Sequence, residues 1–282
     1  LALDELTANQ ISMLLIKNKI SKVHIHRKSD ANRDFLKELY NILPFKLTEN
    51  QNVVVNEILL DLQSDRTMIR MLQGDVGSGK TIVALISMLS AISDGSQSVL
   101  LVPTEILAIQ HFNTISELLK PLNIEVCLLL GESKSNYSKK DRLAVIEKIS
   151  NGTIKIIIGT HALISKKVNY KNLSLAIIDE QHRFGVKQRV KITEKGKNVN
   201  ILVMTATPIP RSLALTAYGD MNISTITEKP KGRKPIKTYV LPQSKIGEVL
   251  QSIKRAIANE ALIYWVCPLI EESENLDLIA VN

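Results

Sequence analysis

From Pro44 onward the chain alternates short, β-branched apolar runs with longer stretches of helical period. The runs are MIRMLQ (68–73), SVLLVP (98–103), IEVCLLL (124–130), IKIIIGT (154–160), LAIIDE (175–180) and NILVMTAT (200–207). Each is almost continuously apolar instead of alternating, which is expected of strands covered on both faces. The pattern predicts a mostly parallel sheet with helices on either side, an α/β domain. Upstream, Leu3, Leu6, Met13 and Leu14 recur at roughly helical spacing from Leu3 to about Lys19, and the basic stretch KVHIHRKSDANR follows as a linker. His24 and His26 within it alternate with Val23 and Ile25, the pattern of an exposed extended face more than of a metal pair. Downstream, TEKPKGRKP (227–235) reads as a hinge. After it, IKTYVLP, a helical stretch to about Asn259 and ALIYWVCPLI predict the start of a second strand-helix-strand unit, which stops before a domain closes.

Composition changes this picture in three ways. Thirty-six Lys plus Arg against 28 Asp plus Glu leave a net charge of +8, which favours a polyanionic partner or marks a merely basic surface. Cys127 and Cys267 lie far apart inside apolar runs, so they read as small core residues of a reducing compartment. The longest uncharged apolar run, Thr81 to Ser93, is too short to span a bilayer, and no signal-peptide pattern opens the chain, so a cytoplasmic protein is expected. The first residue is Leu1, which suggests a piece of something longer.

The candidate chemistry begins at GDVGSGKT, Gly74 to Thr81, which fits G-x-x-x-x-G-K-[ST] between a predicted strand and a predicted helix. Glycine lets successive backbone N–H groups turn inward around a phosphate where a side chain would block approach. Lys80 can reach the β- and γ-phosphates, the helix adds its positive end, and the Thr81 hydroxyl can ligate Mg²⁺. A predicted strand ends at Asp179, at the same sheet edge, where its carboxylate can hold the water shell of the metal. Glu180 follows and is the candidate to orient or deprotonate an attacking water.

GDVGSGKT, DEQH and MTATPIPR together resemble superfamily 2 helicases. With LPFKLTENQ, LVPTEILAIQH, IIIGTHALI and YWVCPLIEESE they are similar to the RecG family of bacterial branched-DNA helicases, from about Leu43 to Glu274. The resemblance implies a RecA-like P-loop NTPase lobe, followed by the truncated beginning of a second RecA-like lobe. It divides the chain into an N-terminal helix and linker (1–42), an ATP-binding lobe (43–230) and the start of a second lobe (231–282). ATP and Mg²⁺ are the implied cofactors, held by Gly74, Asp75, Val76, Gly77, Ser78, Gly79, Lys80 and Thr81 with Asp179. Gln51 would read the adenine edge, although Asn50 stands where the family more often has a small residue. Glu180 and Asp179 would be catalytic with Lys80 and with His182, which completes its box with Gln181 and would sense the γ-phosphate. Thr205 and Thr207 would couple hydrolysis to domain motion. Pro103, Thr104 and Glu105, with Gly159, Thr160 and His161, would touch the DNA backbone; VPT and IGT are also good strand-ending turns. Arg183, Lys187, Arg189 and Arg211 would contribute to DNA binding or be solvated surface.

The resemblance implies a helicase or translocase acting on replication forks and Holliday junctions in recombination and repair. The intact protein is expected to be a monomer. Aromatic residues make up only 4% of the chain, so contact through phosphates is expected over base stacking. A transcription-repair coupling translocase shares GDVG and MTATPIPR, but its acidic box usually reads DEEQ. A GTPase would show N-K-x-D, and a small-molecule kinase has no need of TATPIPR. An ATP- or DNA-binding remnant without turnover stays open. Because the chain stops soon after YWVCPLIEESE, weak ATP hydrolysis and no unwinding are expected of it alone, unless another chain supplies the second lobe.

Overall fold

All six predicted runs form strands, and every ladder among the described residues is parallel. The computed structural model describes residues 34–131, 139–179, 191–207, 221–229 and 236–266. Its strands are β1 (Ile69–Gly74), β2 (Gln97–Leu101), β3 (Val126–Leu129), β4 (Ile156–Gly159), β5 (Leu173–Asp179), β6 (Asn200–Thr205) and β7 (Asn222–Ile226). They lie in the order β3-β4-β2-β5-β6-β1-β7. β5 and β6 are buried along their whole length, which is why their sequences are apolar at successive positions. β7 is an edge strand with exposed Asn222 and Thr225, so NISTI lacks the apolar run that marks the others.

Side chains alternate across the sheet with period two and build two apolar layers. In β5, Leu175 and Ile177 join one layer while Ala176 and Ile178 join the other. The first layer is covered by α1 (Phe35–Ile42), α2 (Glu49–Gln63), α3 (Lys80–Ser93) and α4 (Glu105–Leu119). α3 is apolar nearly all round because α1 and α2 cover what the sheet does not. α5 (Lys139–Ser150) gives Ile149 to the second layer. Leu39 of α1 is fully buried, so the packed lobe reaches back into the segment 1–42 that the sequence reading set apart. The predicted helix 3–19, His24 and His26 lie outside the described residues.

The chain divides into compact units at Leu1–Arg233 and Lys234–Asn282. In the second, α6 (Ile246–Ala258) forms where the helical period placed it. The flanking strands predicted at 236–242 and from 261 are not present among the described residues. Tyr239, Val240, Tyr264 and Val266 are exposed there. A strand is defined by its ladder, and apolar composition alone supplies no partner. Cys127 is buried as expected, and burial pushes its thiol up to about 12, which leaves it an inert core residue. Cys267 lies outside the described residues.

One polar cluster fastens α2 to the β1–β7 edge. The buried Arg70 guanidinium donates to Glu57 at 3.1 Å, to Asp61 at 2.9 Å and to the Ser224 hydroxyl at 2.6 Å. Ser224 donates in turn to Glu57. Glu57 and Asp61 are only partly buried, so losing the arginine leaves them some access to water. Arg70→Ala is expected to lower unfolding free energy by about 2–3 kcal/mol in urea, below the full cost of orphaning a deeply buried charge. Lys148→Ala, which removes an exposed 3.7 Å pair with Glu125, should change it by less than about 1 kcal/mol.

Candidate nucleotide site at the sheet edge

An all-parallel sheet brings the carboxyl ends of its strands to one edge, and the sequence places its polar motifs there. Gly74 ends β1, Asp179 ends β5 and Thr205 ends β6, with β6 lying between the other two. β2 and β4 run out at the same edge into Pro103–Glu105 and Thr160–His161.

The loop from Asp75 to Gly79 turns on two left-handed glycines, Gly77 at φ 76° and Gly79 at φ 96°. It is braced from within: Ser78 N donates to Asp75 O at 3.0 Å, and Val76 N donates to Asp75 Oδ1 at 2.8 Å. Gly79 is the N-cap of α3 and brings no side-chain cap, so the helix presents N–H groups at its first turn. The Lys80 ammonium donates to Gly74 O at 2.7 Å and to Asp75 O at 3.1 Å, folded onto the carbonyls of its own loop. Lys229, which also lines the neighbouring cavity, pairs with Asp75 at 2.6 Å.

Gln51 does two jobs with one amide. Its Oε1 accepts from Thr48 N at 2.9 Å and the Thr48 hydroxyl accepts from Gln51 N at 3.1 Å, a reciprocal cap on α2. Its Nε2 donates to Ser78 O at 2.7 Å and so holds the loop from below. Beside it a cavity of about 980 Å³ is lined by Phe45, Leu47, Gln51, Thr81, Leu85 and Leu118, among others. The cavity therefore joins an apolar wall to the start of α3.

Asp179 is buried at the strand end, and His111 of α4 stands 3.1 Å from its Oδ2. Thr205 and Thr207 close their own turn: the hydroxyls are 2.9 Å apart, and Thr207 N donates to Thr205 Oγ1 at 3.2 Å. Thr104 is the N-cap of α4, its hydroxyl accepting from Leu107 N at 3.3 Å. Glu105 and His161 flank Gly131, where an added Cβ would stand 3.5 Å from Glu105 Oε1 and 4.0 Å from His161 Cε1. The Thr160 side chain is turned inward and only 2% exposed, so its hydroxyl meets no solvent-borne phosphate in this form; His161 is the exposed member of that pair. Glu180, Gln181, His182, Arg183, Lys187, Arg189 and Arg211 lie outside the described residues.

The family model for the DEAD/DEAH box helicase matches residues 48–216, more than half of the chain. The chain belongs to that helicase family. It is 44% identical over 262 residues to the ATP-dependent DNA helicase RecG of Borreliella burgdorferi, covering 93% of this chain and 38% of the relative. It is 50% identical over 236 residues to the protein of the same name from Streptococcus pneumoniae, covering 84% and 34%. A solved structure of RecG bound to a three-way DNA junction superposes with a TM-score of 0.76 at 39% identity, over 91% of this chain and 34% of that one. Mss116p bound to single-stranded RNA and AMP-PNP, at 18% identity and a TM-score of 0.58, shares the fold. The chain thus spans about two fifths or less of the length of these RecG relatives.

The fold is a RecA-like α/β helicase lobe, as the motifs implied. Two side chains, Phe45 at the cavity and His111 beside Asp179, carry weaker sequence signals than the motifs do. Phe45 stands six residues before Gln51 in LPFKLTENQ, and its signal is an aromatic close ahead of a capping box; the structure leaves it exposed. His111 follows Thr104 by seven residues, two helical turns that return to one face, and its signal is a polar residue in an apolar stripe.

Proposed function

We propose that this lobe binds ATP and that the whole protein couples ATP hydrolysis to movement on branched DNA. The observation that carries the reading is the meeting of an uncapped α3 start, Lys80 and the buried Asp179 carboxylate on one sheet edge, beside an apolar cavity. Lys80 exchanges the loop carbonyls for the β- and γ-phosphates. Thr81 and Asp179 offer hard oxygen donors and few of them, which suits Mg²⁺, an ion that keeps several waters and takes the rest of its ligands from phosphate. When bound, the ion neutralises phosphate charge. Glu180 orients the attacking water and His182 reports on the γ-phosphate, while the Thr205–Thr207 turn passes the change to the second lobe.

The base occupies the cavity. The Gln51 amide uses one of its two N–H groups on Ser78 and one lone pair on Thr48, so one donor and one acceptor remain, the complement of an adenine edge. Phe45 supplies an aromatic face at the cavity wall. Phe45→Ala is expected to weaken ATP binding by about 5–30-fold, the range for losing about 1–2 kcal/mol of stacking. Inorganic triphosphate binding should stay within about twofold, since it has no base to stack. Titration of both ligands against the variant checks this; equal losses for the two would place Phe45 outside base recognition.

For DNA, the +8 charge, the half-buried segment 103–105 and the exposed His161 support phosphate contact without sequence reading. ATP turnover by the whole protein is expected to rise more with forked DNA than with linear duplex of the same length. Raising salt from about 50 to about 200 mM should weaken DNA binding by more than about tenfold, whatever the base sequence. Turnover indifferent to DNA structure, or salt-insensitive binding, would refute the branched-DNA reading.

A further inference from the structure

α4 is held to the core by one stripe, Ala108, Ile115 and Leu119, all fully buried. His111 belongs to the same stripe by its spacing, one turn after Ala108 and one before Ile115. A polar ring at such a position needs a partner, and the partner is Asp179: Nε2 lies 3.1 Å from Oδ2, with 13% and 12% of the two side chains exposed. An ionised carboxylate only accepts, so Nε2 carries the hydrogen and the ring is fixed as a donor toward β5. The ring's place is set by the packing of α4, and β5 is buried on both faces, so neither partner has much freedom to drift.

We propose that His111 is a positioning residue that donates to Asp179 and orients its carboxylate for Mg²⁺ before the ion arrives. The inference rests on the reading of Asp179 as the carboxylate that holds the metal's water shell. A carboxylate accepts at about four sites, so one donor orients it without exhausting its capacity for metal-bound water. Losing such an outer partner lowers metal affinity by about 10–100-fold in comparable sites. A histidine that merely fills the core would affect folding and leave metal affinity alone.

The probe is Mn²⁺ with a non-hydrolysable ATP analogue, with bound metal read by electron paramagnetic resonance and each variant's melting temperature recorded alongside. His111→Phe keeps a ring and removes the donor; it should weaken Mn²⁺ binding by about 10–100-fold. Binding of the analogue in EDTA should stay within about twofold. His111→Gln, whose Nε2 can take the place of the ring Nε2, should recover most of the loss; His111→Leu replaces the phenylalanine variant if that one fails to fold. Unchanged Mn²⁺ affinity without the donor, or a glutamine variant as weak as the phenylalanine one, would overturn the proposal. Asp179→Asn serves as the reference: if it leaves Mn²⁺ affinity intact, the metal reading of Asp179 has failed and not the role of His111.

Discussion

Lys80→Ala should lower ATP turnover by about 10²–10³-fold, the range for removing one preorganised group from developing charge. The ammonium already sits within the loop, bonded to Gly74 O and Asp75 O. Its departure therefore removes a phosphate contact and loosens the loop that presents the other donors. Arginine should not rescue it, because a planar guanidinium cannot occupy the pocket of a compact ammonium between two carbonyls. Turnover at saturating Mg²⁺ and DNA, with binding of a fluorescent ATP analogue measured in parallel, separates lost chemistry from lost affinity. Lys120→Ala, at the far end of α4, controls for the loss of a positive charge. A Lys80→Ala variant within about threefold of the unaltered protein would remove the loop from the mechanism.

The parts of the fold legible in the sequence are those buried on both faces. β1, β2, β4, β5 and β6 announce themselves because nearly every position in them is apolar, and their ends fall within two residues of the predicted runs. β7 stays hidden because an edge strand with polar outward positions looks like a loop until its partner is known. The same dependence on partners works in reverse at 236–242, where an apolar run supplies no ladder of its own. α1 follows the basic stretch and carries little signal of its own, because its contribution is a few side chains, Leu39 foremost, whose value depends on α3.

The site divides along similar lines. The glycine-lysine spacing of the loop is local chemistry and was read directly, as was an acid at a strand end. What escaped were contacts between distant segments: Gln51 with Ser78, 27 residues apart, and His111 with Asp179, 68 apart. Thr160 shows the other limit. Its place after β4 was visible, but the inward turn of its side chain depends on packing that no local pattern encodes.

Gly79→Ala tests the loop and its brace together. At φ 96° only glycine is comfortable, and a Cβ added there would overlap Gln51 Nε2. Gln51 cannot simply withdraw, since the same amide caps α2 through Thr48 and holds Ser78 O. Either the loop rotates and turns its N–H groups from the phosphates, or the glutamine moves and releases both bonds. Each route is expected to cost about 2–3 kcal/mol of the binding-ready loop, or roughly 30–150-fold in ATP affinity. Gly95→Ala separates strain from collision: φ there is also positive, at 74°, but nothing lies within 4 Å of an added Cβ. It should reduce stability by about 1 kcal/mol and leave ATP affinity unchanged. The decisive measurement is the Gln51→Ala, Gly79→Ala double variant, compared with each single change. If collision is the cause, removing the glutamine makes room for the methyl group, and the double variant loses less affinity than the two single losses combined. Strict additivity would mean that the backbone angle alone sets the requirement for glycine, and that Gln51 braces a loop already fixed by its own turns.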